Sequence, residues 1–152
     1  MHAPILDLSG RRIVVSGASR GIGAATARLL ARAGAEVVIG YRARTEAAEA
    51  VAADVRALGR RAALCAADLT DPAGCDALVR AGVDAFGGVD GVVINHGVWP
   101  SDEVPVADLA NGRWHDTFRQ NVDSMFWLSR AAARALGPGG RIVMVASTAG
   151  QR

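Results

Sequence analysis

Short apolar runs alternate along the chain with longer stretches of helical period, and no linker rich in Pro or Gly divides them. The short runs are rich in β-branched residues and predict strands that are covered on both faces. They lie at Arg12–Ser16, Glu36–Tyr41, Ala62–Ala67, Gly91–Asn95 and Arg141–Ala146. The longer stretches predict helices at Ile22–Ala33, Thr45–Leu58, Pro72–Phe86 and Asn111–Leu136. This alternation indicates βαβ units and a single α/β domain over residues 1–152, with a doubly wound parallel sheet.

The longest predicted helix carries two apolar stripes, whereas a helix packed on one side of a sheet needs only one. The first stripe comprises Trp114, Phe118, Val122, Met125, Ser129, Ala132 and Leu136. The second comprises Trp127, Leu128, Ala131 and Ala135. One stripe can pack on the sheet, and the other needs a further covering element. Without that cover we expect Trp127, Leu128 and the fifth strand, at the sheet edge, to expose apolar surface.

Composition and charge narrow the classes of function. The 152 residues are 51% hydrophobic and 21% charged, as in ordinary globular proteins. The net charge is +2, and the 17 basic residues are scattered arginines with no lysine among them. The chain therefore shows no nucleic-acid or membrane-surface footprint. No apolar run reaches membrane-spanning length and no secretory signal is recognisable, which predicts a cytoplasmic location.

The spacing of the cysteines and histidines predicts no metal site. Cys65 and Cys75 form no Cys-x-x-Cys pair, and the three histidines lie far apart in the sequence. We expect both cysteines to be buried structural thiols and no metal to be bound.

Three glycines follow the first predicted strand, at the point where a helix is predicted to begin. The segment reads SGASRGIG from Ser16 to Gly23. Gly17 can form a tight turn, Gly21 lets the backbone approach a pyrophosphate, and Gly23 lets the helix pack closely on the strand. The N-terminus of the helix then lies next to the phosphates. The alternative is a turn that needs glycine only for its own conformation.

This segment and four others resemble the short-chain dehydrogenase/reductase family, over about Leu8 to Arg152. The family's glycine motif is Thr-Gly-x-x-x-Gly-x-Gly, and Ser16 stands here in place of the Thr. The other matches are Asp68 with Leu69 after the third strand, Asn95-His96-Gly97 after the fourth, Asn121 in the fourth helix and Ser147 after the fifth strand. In the family's Asn-Asn-Ala-Gly motif, Ile94 replaces the first Asn and His96 replaces the Ala.

The resemblance implies a Rossmann-type sheet of strand order 3-2-1-4-5 and an NADP(H)-dependent oxidoreductase. Such an enzyme transfers hydride to or from a small carbonyl or alcohol substrate, as in 3-oxoacyl-carrier-protein reductases or alcohol and sugar dehydrogenases. Ser147 would hydrogen-bond the substrate oxygen and Asn121 would order the proton relay. The implied cofactor residues are Gly17, Ser19, Arg20, Gly21, Ile22, Gly23, Arg42, Asp68, Leu69, Asn95 and Gly97. The family commonly forms dimers or tetramers, so we expect a homo-oligomer.

The second strand bears on the choice between NAD and NADP. NAD sites usually place Asp or Glu there to hold the ribose 2′-hydroxyl, whereas NADP sites place Arg nearby to meet the 2′-phosphate. The strand ends Gly40-Tyr41-Arg42 with no acid, and Arg20 lies in the glycine segment. We therefore expect NADP in preference to NAD, the alternative being that both arginines are solvated surface residues.

Several of the matched residues have simpler interpretations. Asp68 could cap a helix or face solvent, and Ser147 could belong to a turn. Asn121 could make a structural hydrogen bond, since an unpaired buried amide costs about 1–3 kcal/mol. We expect His96 to pack or to line the pocket and not to act as a base. Trp99 either lines the substrate side or covers the core.

The resemblance also implies a Tyr-x-x-x-Lys segment about a dozen residues after the serine, which this chain does not contain. Its only tyrosine, Tyr41, belongs to the adenosine side of the predicted site. We expect the 152 residues alone to be a poor enzyme, because losing a positioned general acid typically costs roughly 10²–10⁴-fold in rate. Two hypotheses follow: the amino-terminal part of an oxidoreductase, completed by a further segment or a subunit partner, or a non-catalytic nucleotide-binding or assembly module. Asn121 and Ser147 disfavour a methyltransferase.

Overall fold

A five-stranded parallel sheet forms the centre of the protein in the computed structural model, which describes residues 6–147. The strands are β1 (Arg12–Val15), β2 (Glu36–Tyr41), β3 (Ala62–Ala66), β4 (Val89–Ile94) and β5 (Leu136–Met144). Their order across the sheet is β3-β2-β1-β4-β5, and every neighbouring pair is parallel. The predicted fold class and strand order are confirmed.

Helices cover both faces of this sheet. They are α1 (Gly21–Arg32), α2 (Thr45–Ala57), α3 (Pro72–Phe86), α4 (Asn111–Phe118) and α5 (Ser124–Ala135). A short 3₁₀ turn, Val106–Asp108, precedes α4, and a π-helical turn, Arg119–Asp123, joins α4 to α5. The predicted helix over residues 111–136 is therefore one helical rod with a change of geometry in its middle.

Alternation along the strands divides the core into two layers. In β1, Ile13 and Val15 belong to the cluster that packs against α1 and α2, while Val14 belongs to the cluster that packs against α3 and α5. Successive strand side chains point to opposite faces, so a short apolar strand can serve both layers at once. This explains why these strands are apolar at nearly every position.

Polar residues leave the strands at the carboxyl edge of the sheet. β1 ends at Val15 and β4 at Ile94, so Ser16 and Asn95, predicted as the last residues of their strands, begin the loops that follow. At the amino-terminal ends of β1 and β4, the Arg12 guanidinium donates to both carboxylate oxygens of Asp90, at 2.7 and 2.9 Å. The hydrogen bond from Arg12 lowers the pKa of Asp90. This ion pair fixes β1 against β4 at the end away from the loops.

The fifth strand differs from its predicted bounds of 141–146. It begins at Leu136, which pairs with Val89, and after a register shift Arg141 pairs with Gly91. The Gly-Pro-Gly-Gly sequence between these two pairs accommodates the extra residues as a bulge. As expected for an edge strand without a cover, Val143 and Met144 are more than half exposed.

The expected exposure is wrong for Leu128, and Trp127 is partly buried. Leu128 is fully buried and Trp127 packs against the layer under α3 and α5. The exposed residues are instead Trp114, Phe118, Val122 and Phe126. A π-helical turn inserts about one extra residue, which rotates all later side chains by about 100°. The first predicted stripe, drawn at a constant period of 3.6, therefore joins exposed residues of α4 to buried and partly buried residues of α5.

No helix in the described range combines the length and the apolar character that a membrane span requires.

Candidate cofactor-binding site

A groove of about 510 Å³ lies at the carboxyl edge of the sheet, between the loops that follow β1, β2, β3 and β4. Ligands of open parallel sheets bind at this edge. Ten of the eleven predicted cofactor residues line the groove, the exception being Gly23. The structure thus brings together residues that the sequence separates by up to 80 positions, and their individual roles remain predictions.

The glycine turn presents bare backbone to this groove. Gly17 and Gly21 have φ of +62° and +55°, a region that glycine adopts without strain. A Cβ at Gly21 would meet nothing within 4 Å, so the backbone there is open on the groove side. No side chain caps the N-terminus of α1, which leaves its first N–H groups for a ligand. A pyrophosphate fits this turn.

Gly23 contributes by packing, and it lies under the turn. A Cβ at this position would collide with the carbonyl oxygen of Gly17 and lie 2.5 Å from Nδ2 of Asn95. Asn95 in turn holds the turn from below, because its Nδ2 donates to the carbonyl oxygens of Ser16 and Gly17 at 3.2 and 3.3 Å. The Asn of the matched Asn95-His96-Gly97 segment therefore shapes the glycine turn from the neighbouring strand.

Three arginines line the groove where β1 and β2 end: Arg20, Arg42 and Arg44. All three are exposed, and none forms an ion pair with a carboxylate of residues 6–147. Sequence reasoning selected Arg20 and Arg42 and missed Arg44, although its position two residues after Arg42 was a usable signal. An anionic group at this end would meet three cations, none of which is held in an ion pair by a described side chain.

Asp68 lies at the same end, in the loop between β3 and α3. Its Oδ1 accepts hydrogen bonds from the backbone N–H of Thr70 at 3.0 Å and from the Thr70 hydroxyl at 2.8 Å. These two bonds, with a smaller contribution from the charge of Arg42, lower the pKa of Asp68. The helix-capping alternative is wrong, because Asp71 caps α3 by accepting from the N–H of Ala73. Asp68 is an ionised acceptor at the rim of the groove.

Asn121 occupies the π-helical turn and does not line the groove. Its Oδ1 accepts from the N–H of Val98 at 2.8 Å, and its Nδ2 donates to the carbonyl oxygens of Val98 at 2.9 Å and Thr117 at 3.1 Å. The side chain thus pairs with the loop after β4 as a neighbouring strand would. The structural hydrogen bonds that the sequence analysis gave as the simpler role of Asn121 are therefore present.

Ser147 follows the end of β5, next to β4 in the sheet, and is exposed. Thr148 to Arg152, the remainder of its matched segment, lie outside the described residues. Tyr41 ends β2, which lies three strand spacings from β5, or about 14 Å at about 4.8 Å per spacing. Tyr41 lines the groove at the end of β2 and is distant from Ser147.

Two remaining predictions concern Trp99 and the cysteines. The side chain of Trp99 is 80% exposed, so it does not cover the core. Cys75 is buried as expected, and burial raises the pKa of its thiol to about 11, which keeps it protonated and unreactive. Cys65 is only partly buried. Across residues 6–147 no three metal-binding side chains come together.

His96 lines the groove, as expected, and is mostly buried beneath it. Loss of solvent lowers the pKa of its imidazole from 6.5 to about 4, so it is neutral at pH 7. Both ring nitrogens have a serine hydroxyl as partner, Ser16 on one side and Ser124 on the other. Sequence reasoning missed both serines as site residues, because they lie 80 and 28 positions from His96.

Comparisons with known proteins agree with this geometry. Residues 11–152 match the family model described as short chain dehydrogenase. The chain is 38% identical over 146 residues to the short-chain dehydrogenase/reductase FrzI of Cladobotryum sp., covering 96% of this chain and 56% of that protein. It is also 38% identical to an L-rhamnose 1-dehydrogenase (NAD(P)(+)) of Azotobacter vinelandii, over 92% of this chain and 56% of that protein.

A solved structure shows the same arrangement. A short-chain dehydrogenase from Burkholderia cenocepacia, in complex with NADP, is 43% identical and superposes with a TM-score of 0.90. The match covers 95% of this chain and 58% of that one. The chain therefore spans little more than half the length of the relatives that it matches.

Proposed function

Because the chain belongs to the short-chain dehydrogenase family, we propose that the complete protein is an NADP(H)-dependent oxidoreductase. Its substrate is a small carbonyl compound or alcohol. The observation that carries this proposal is the groove itself, which is lined by an open glycine turn and by three arginines that form no ion pair with residues 6–147. This combination suits a dinucleotide that bears a further phosphate on its adenosine ribose.

Different groups of residues bind different parts of the cofactor. The turn from Gly17 to Gly21 and the N-terminus of α1 take the pyrophosphate, because uncapped N–H groups and the helix dipole favour an anion. Arg20, Arg42 and Arg44 take the 2′-phosphate. Asp68, held ionised by Thr70, accepts a hydrogen bond from the adenine amino group. The Burkholderia cenocepacia relative, solved with NADP, supports this choice of cofactor.

When bound, the nicotinamide supplies or accepts the hydride. Ser147, at the carboxyl edge beside β4, donates a hydrogen bond to the substrate oxygen as negative charge develops on it. Asn121 fixes the loop after β4 through Val98, which keeps that wall of the substrate site in place. Tyr41 is too far from Ser147 to exchange the proton, so the acid/base group comes from elsewhere in the complete protein.

We also propose that the complete protein is a homo-oligomer. Trp114, Phe118, Val122 and Phe126 follow one another at intervals of four residues along α4, the π-helical turn and α5. Each is at least 40% exposed. We call these four residues the exposed stripe. A contiguous apolar surface of this kind is typical of a protein interface.

The cofactor proposal is tested by binding, which does not require catalysis. Wild-type chain and the variants Arg42→Ala and Arg44→Ala are titrated with NADPH and with NADH, and cofactor fluorescence is recorded. We expect wild type to prefer NADPH, and each variant to bind NADPH roughly 10-fold more weakly with little change for NADH, as for the loss of a charged hydrogen bond.

The matched control is Arg80→Ala, which removes the same charge from an exposed position on α3 outside the groove. It should bind both cofactors as wild type does. Equal loss of affinity for NADPH and NADH in the groove variants would contradict the role given to the arginines. Absence of binding to either cofactor by the wild-type chain would contradict the function.

A further inference from the structure

Two fully buried polar side chains stand out in a core that is otherwise apolar. Within residues 6–147, Ser16 and Ser124 are the only polar or charged residues classed as buried, and both are completely inaccessible. Burying a hydroxyl is unfavourable unless it is hydrogen-bonded. Both hydroxyls contact His96, with Ser16 Oγ 2.8 Å from Nδ1 and Ser124 Oγ 2.8 Å from Nε2. The imidazole is therefore a bridge between two serines.

The partners of the two hydroxyls determine which ring nitrogen carries the proton. Ser16 Oγ accepts hydrogen bonds from the backbone N–H groups of Asn95 and His96, at 3.0 and 3.3 Å. With its acceptor sites used, it donates to Nδ1 of His96. Ser124 Oγ donates to the carbonyl oxygen of Gln120 at 2.8 Å, so it accepts from Nε2. The Ser16 hydroxyl also lies 3.4 Å from the carbonyl oxygen of Val93, a longer contact than the 2.8 Å to Nδ1 of His96. The assignment that uses the shorter hydrogen bonds throughout is a neutral imidazole with its proton on Nε2.

The two ends of this bridge belong to different parts of the site. Ser16 immediately precedes Gly17 in the phosphate turn, and its carbonyl oxygen is one of the two that Asn95 holds. Gln120 immediately precedes Asn121 in the π-helical turn. No other hydrogen bond among those described links the residues of the phosphate turn to the π-helical turn. His96 is thus the direct polar connection between them.

We infer that His96 is a positioning residue, whose neutral Nε2–H form ties the cofactor turn at Ser16 to the π-helical turn that carries Asn121. The role rests on the proposed function, since it couples the cofactor end of the site to the loop that Asn121 holds. A charged imidazole would lose this role, because Nδ1–H would face a hydroxyl that already accepts two N–H groups. No carboxylate of the described residues pairs with the ring to compensate its charge.

If His96 only filled space, its substitutions would be expected to have different effects. A space-filling ring needs volume, and any side chain of similar size would replace it. A bridge needs an acceptor toward Ser16 and a donor toward Ser124. His96→Asn keeps a group within reach of Ser16 alone, and His96→Gln reaches farther, toward Ser124. The apolar substitution His96→Leu keeps a similar volume and removes both bonds.

The first test is the imidazole itself, observed by ¹⁵N NMR in the 152-residue chain at pH 7. We expect Nδ1 of His96 to resonate as an unprotonated, hydrogen-bond-accepting nitrogen and Nε2 as a protonated one. The side-chain NH₂ of Asn121 is followed in the same samples. It should shift in Ser16→Ala, although Ser16 does not contact Asn121. A proton on Nδ1, or an Asn121 amide indifferent to Ser16→Ala, would overturn the inference.

The second test is a double-mutant cycle of His96→Leu and Ser124→Ala, with the NADPH dissociation constant as readout. Each single change is expected to weaken binding roughly 10-fold, and the double variant little more than either alone, because both break the same bridge. Independent effects that multiply would show two unrelated contacts. If His96→Leu folds and binds NADPH as wild type does, the space-filling role is sufficient and the bridge is wrong.

His115→Ala is the matched control, because His115 is exposed on α4 and makes no hydrogen bond among those of the described residues. It should change neither readout. The two tests also separate this inference from the proposed function. A wild-type chain that fails to bind NADPH contradicts the function, whereas the NMR signals of His96 and Asn121 test the bridge without any cofactor.

Discussion

At the scale of single residues, the protonation of His96 affects the stability of the fold. Burial lowers its pKa from 6.5 to about 4. Between these values the unfolded chain binds a proton that the folded chain does not, so the free energy of unfolding falls as the pH falls. The decrease begins near pH 6.5 and levels off below about 4. This pH dependence of the unfolding free energy arises from the single buried imidazole of His96.

We therefore expect wild type to lose on the order of 3 kcal/mol of unfolding free energy between pH 6.5 and 4, the linkage equivalent of this pKa shift. Urea denaturation across this range measures it. His96→Gln, which has no titrating group there, should be less stable at pH 7 but nearly flat with pH. Asp68 and Asp90, whose pKa values are lowered, lose their contribution near pH 3.8 and below, which affects only the acid end of this range and affects wild type and His96→Gln alike.

His115→Gln should keep the wild-type pH profile, because that side chain is exposed. A wild-type profile that is flat from pH 6.5 to 4 would contradict the burial of a neutral imidazole. A pH dependence of the unfolding free energy that persists in His96→Gln would contradict it as well.

At the scale of elements, the π-helical turn joins two helices and also holds a loop. Asn121 pairs with both backbone groups of Val98, while it donates to Thr117 within its own helix. A carbonyl that a π-helical turn leaves without its usual N–H partner is available to a side chain, and Ser124 uses that of Gln120. The turn is stabilised from outside the helix, by the loop and by His96.

Asn121→Ala should release the loop after β4 without unfolding the protein. The N–H of Val98 loses its acceptor, and its hydrogen-exchange rate should rise roughly 10-fold, as for the loss of about 1.4 kcal/mol of local opening free energy. Hydrogen exchange read by NMR measures this amide directly. Amides of β1 and β4 should exchange as in wild type.

Asn111→Ala is the control for this change. It replaces the same residue type at the exposed start of α4, where no hydrogen bond to a described residue is lost. It should leave Val98 unaffected. If Val98 exchanges equally fast in wild type and Asn121→Ala, the pairing with Asn121 does not hold the loop in solution.

Residues 111–136 also show which structural features the sequence pattern can predict and which it cannot. The β-branched runs predicted the five strands and a parallel sheet, because short apolar segments between helices have few other solutions. Their order across the sheet came from the family resemblance, and it is confirmed. The faces of residues 111–136 were misassigned, since a single period of 3.6 contains no sign of a π-helical turn. Trp127 and Leu128 were placed outside for that reason, although the structure buries Leu128 completely.

The same limit applies to the site. The glycines and arginines of the groove can be recognised from the local sequence, because they lie within a few residues of a strand end. Ser16 and Ser124 acquire their role from a histidine that the fold brings to them across 80 and 28 positions. Only the packing of β1 beside β4, and of α5 beneath them, creates that neighbourhood. Such a network has no local signature in a single sequence.

At the scale of the whole molecule, the distribution of apolar surface predicts how copies associate. The exposed stripe lies on the outer side of the rod formed by α4 and α5, while the other face of α5 packs against the sheet and α3. Other exposed apolar residues are scattered, as Leu29 is on α1. Contiguous apolar area, and not its total amount, distinguishes an interface.

We expect Phe118→Glu to weaken self-association at least 10-fold, because it places a charge in the middle of the exposed stripe beside Trp114. Sedimentation velocity over a range of protein concentrations measures the association constant. Leu29→Glu makes an equivalent change on α1, at a site that is 61% exposed, and should associate as wild type does. A wild-type chain that is monomeric at every concentration, or equal effects of both substitutions, would contradict the assignment.

The position of β1 has a consequence for synthesis of the chain. β1 is made first but lies in the middle of the sheet, and the residues that complete its second edge, β4, begin 74 positions after it ends (89 − 15). At about 5–20 residues per second, a ribosome needs roughly 4–15 s to supply them. During that interval β1, β2 and β3 can pair while one apolar edge of β1 stays open to other chains. A protein with this strand order depends on early cover by its own helices or by a chaperone.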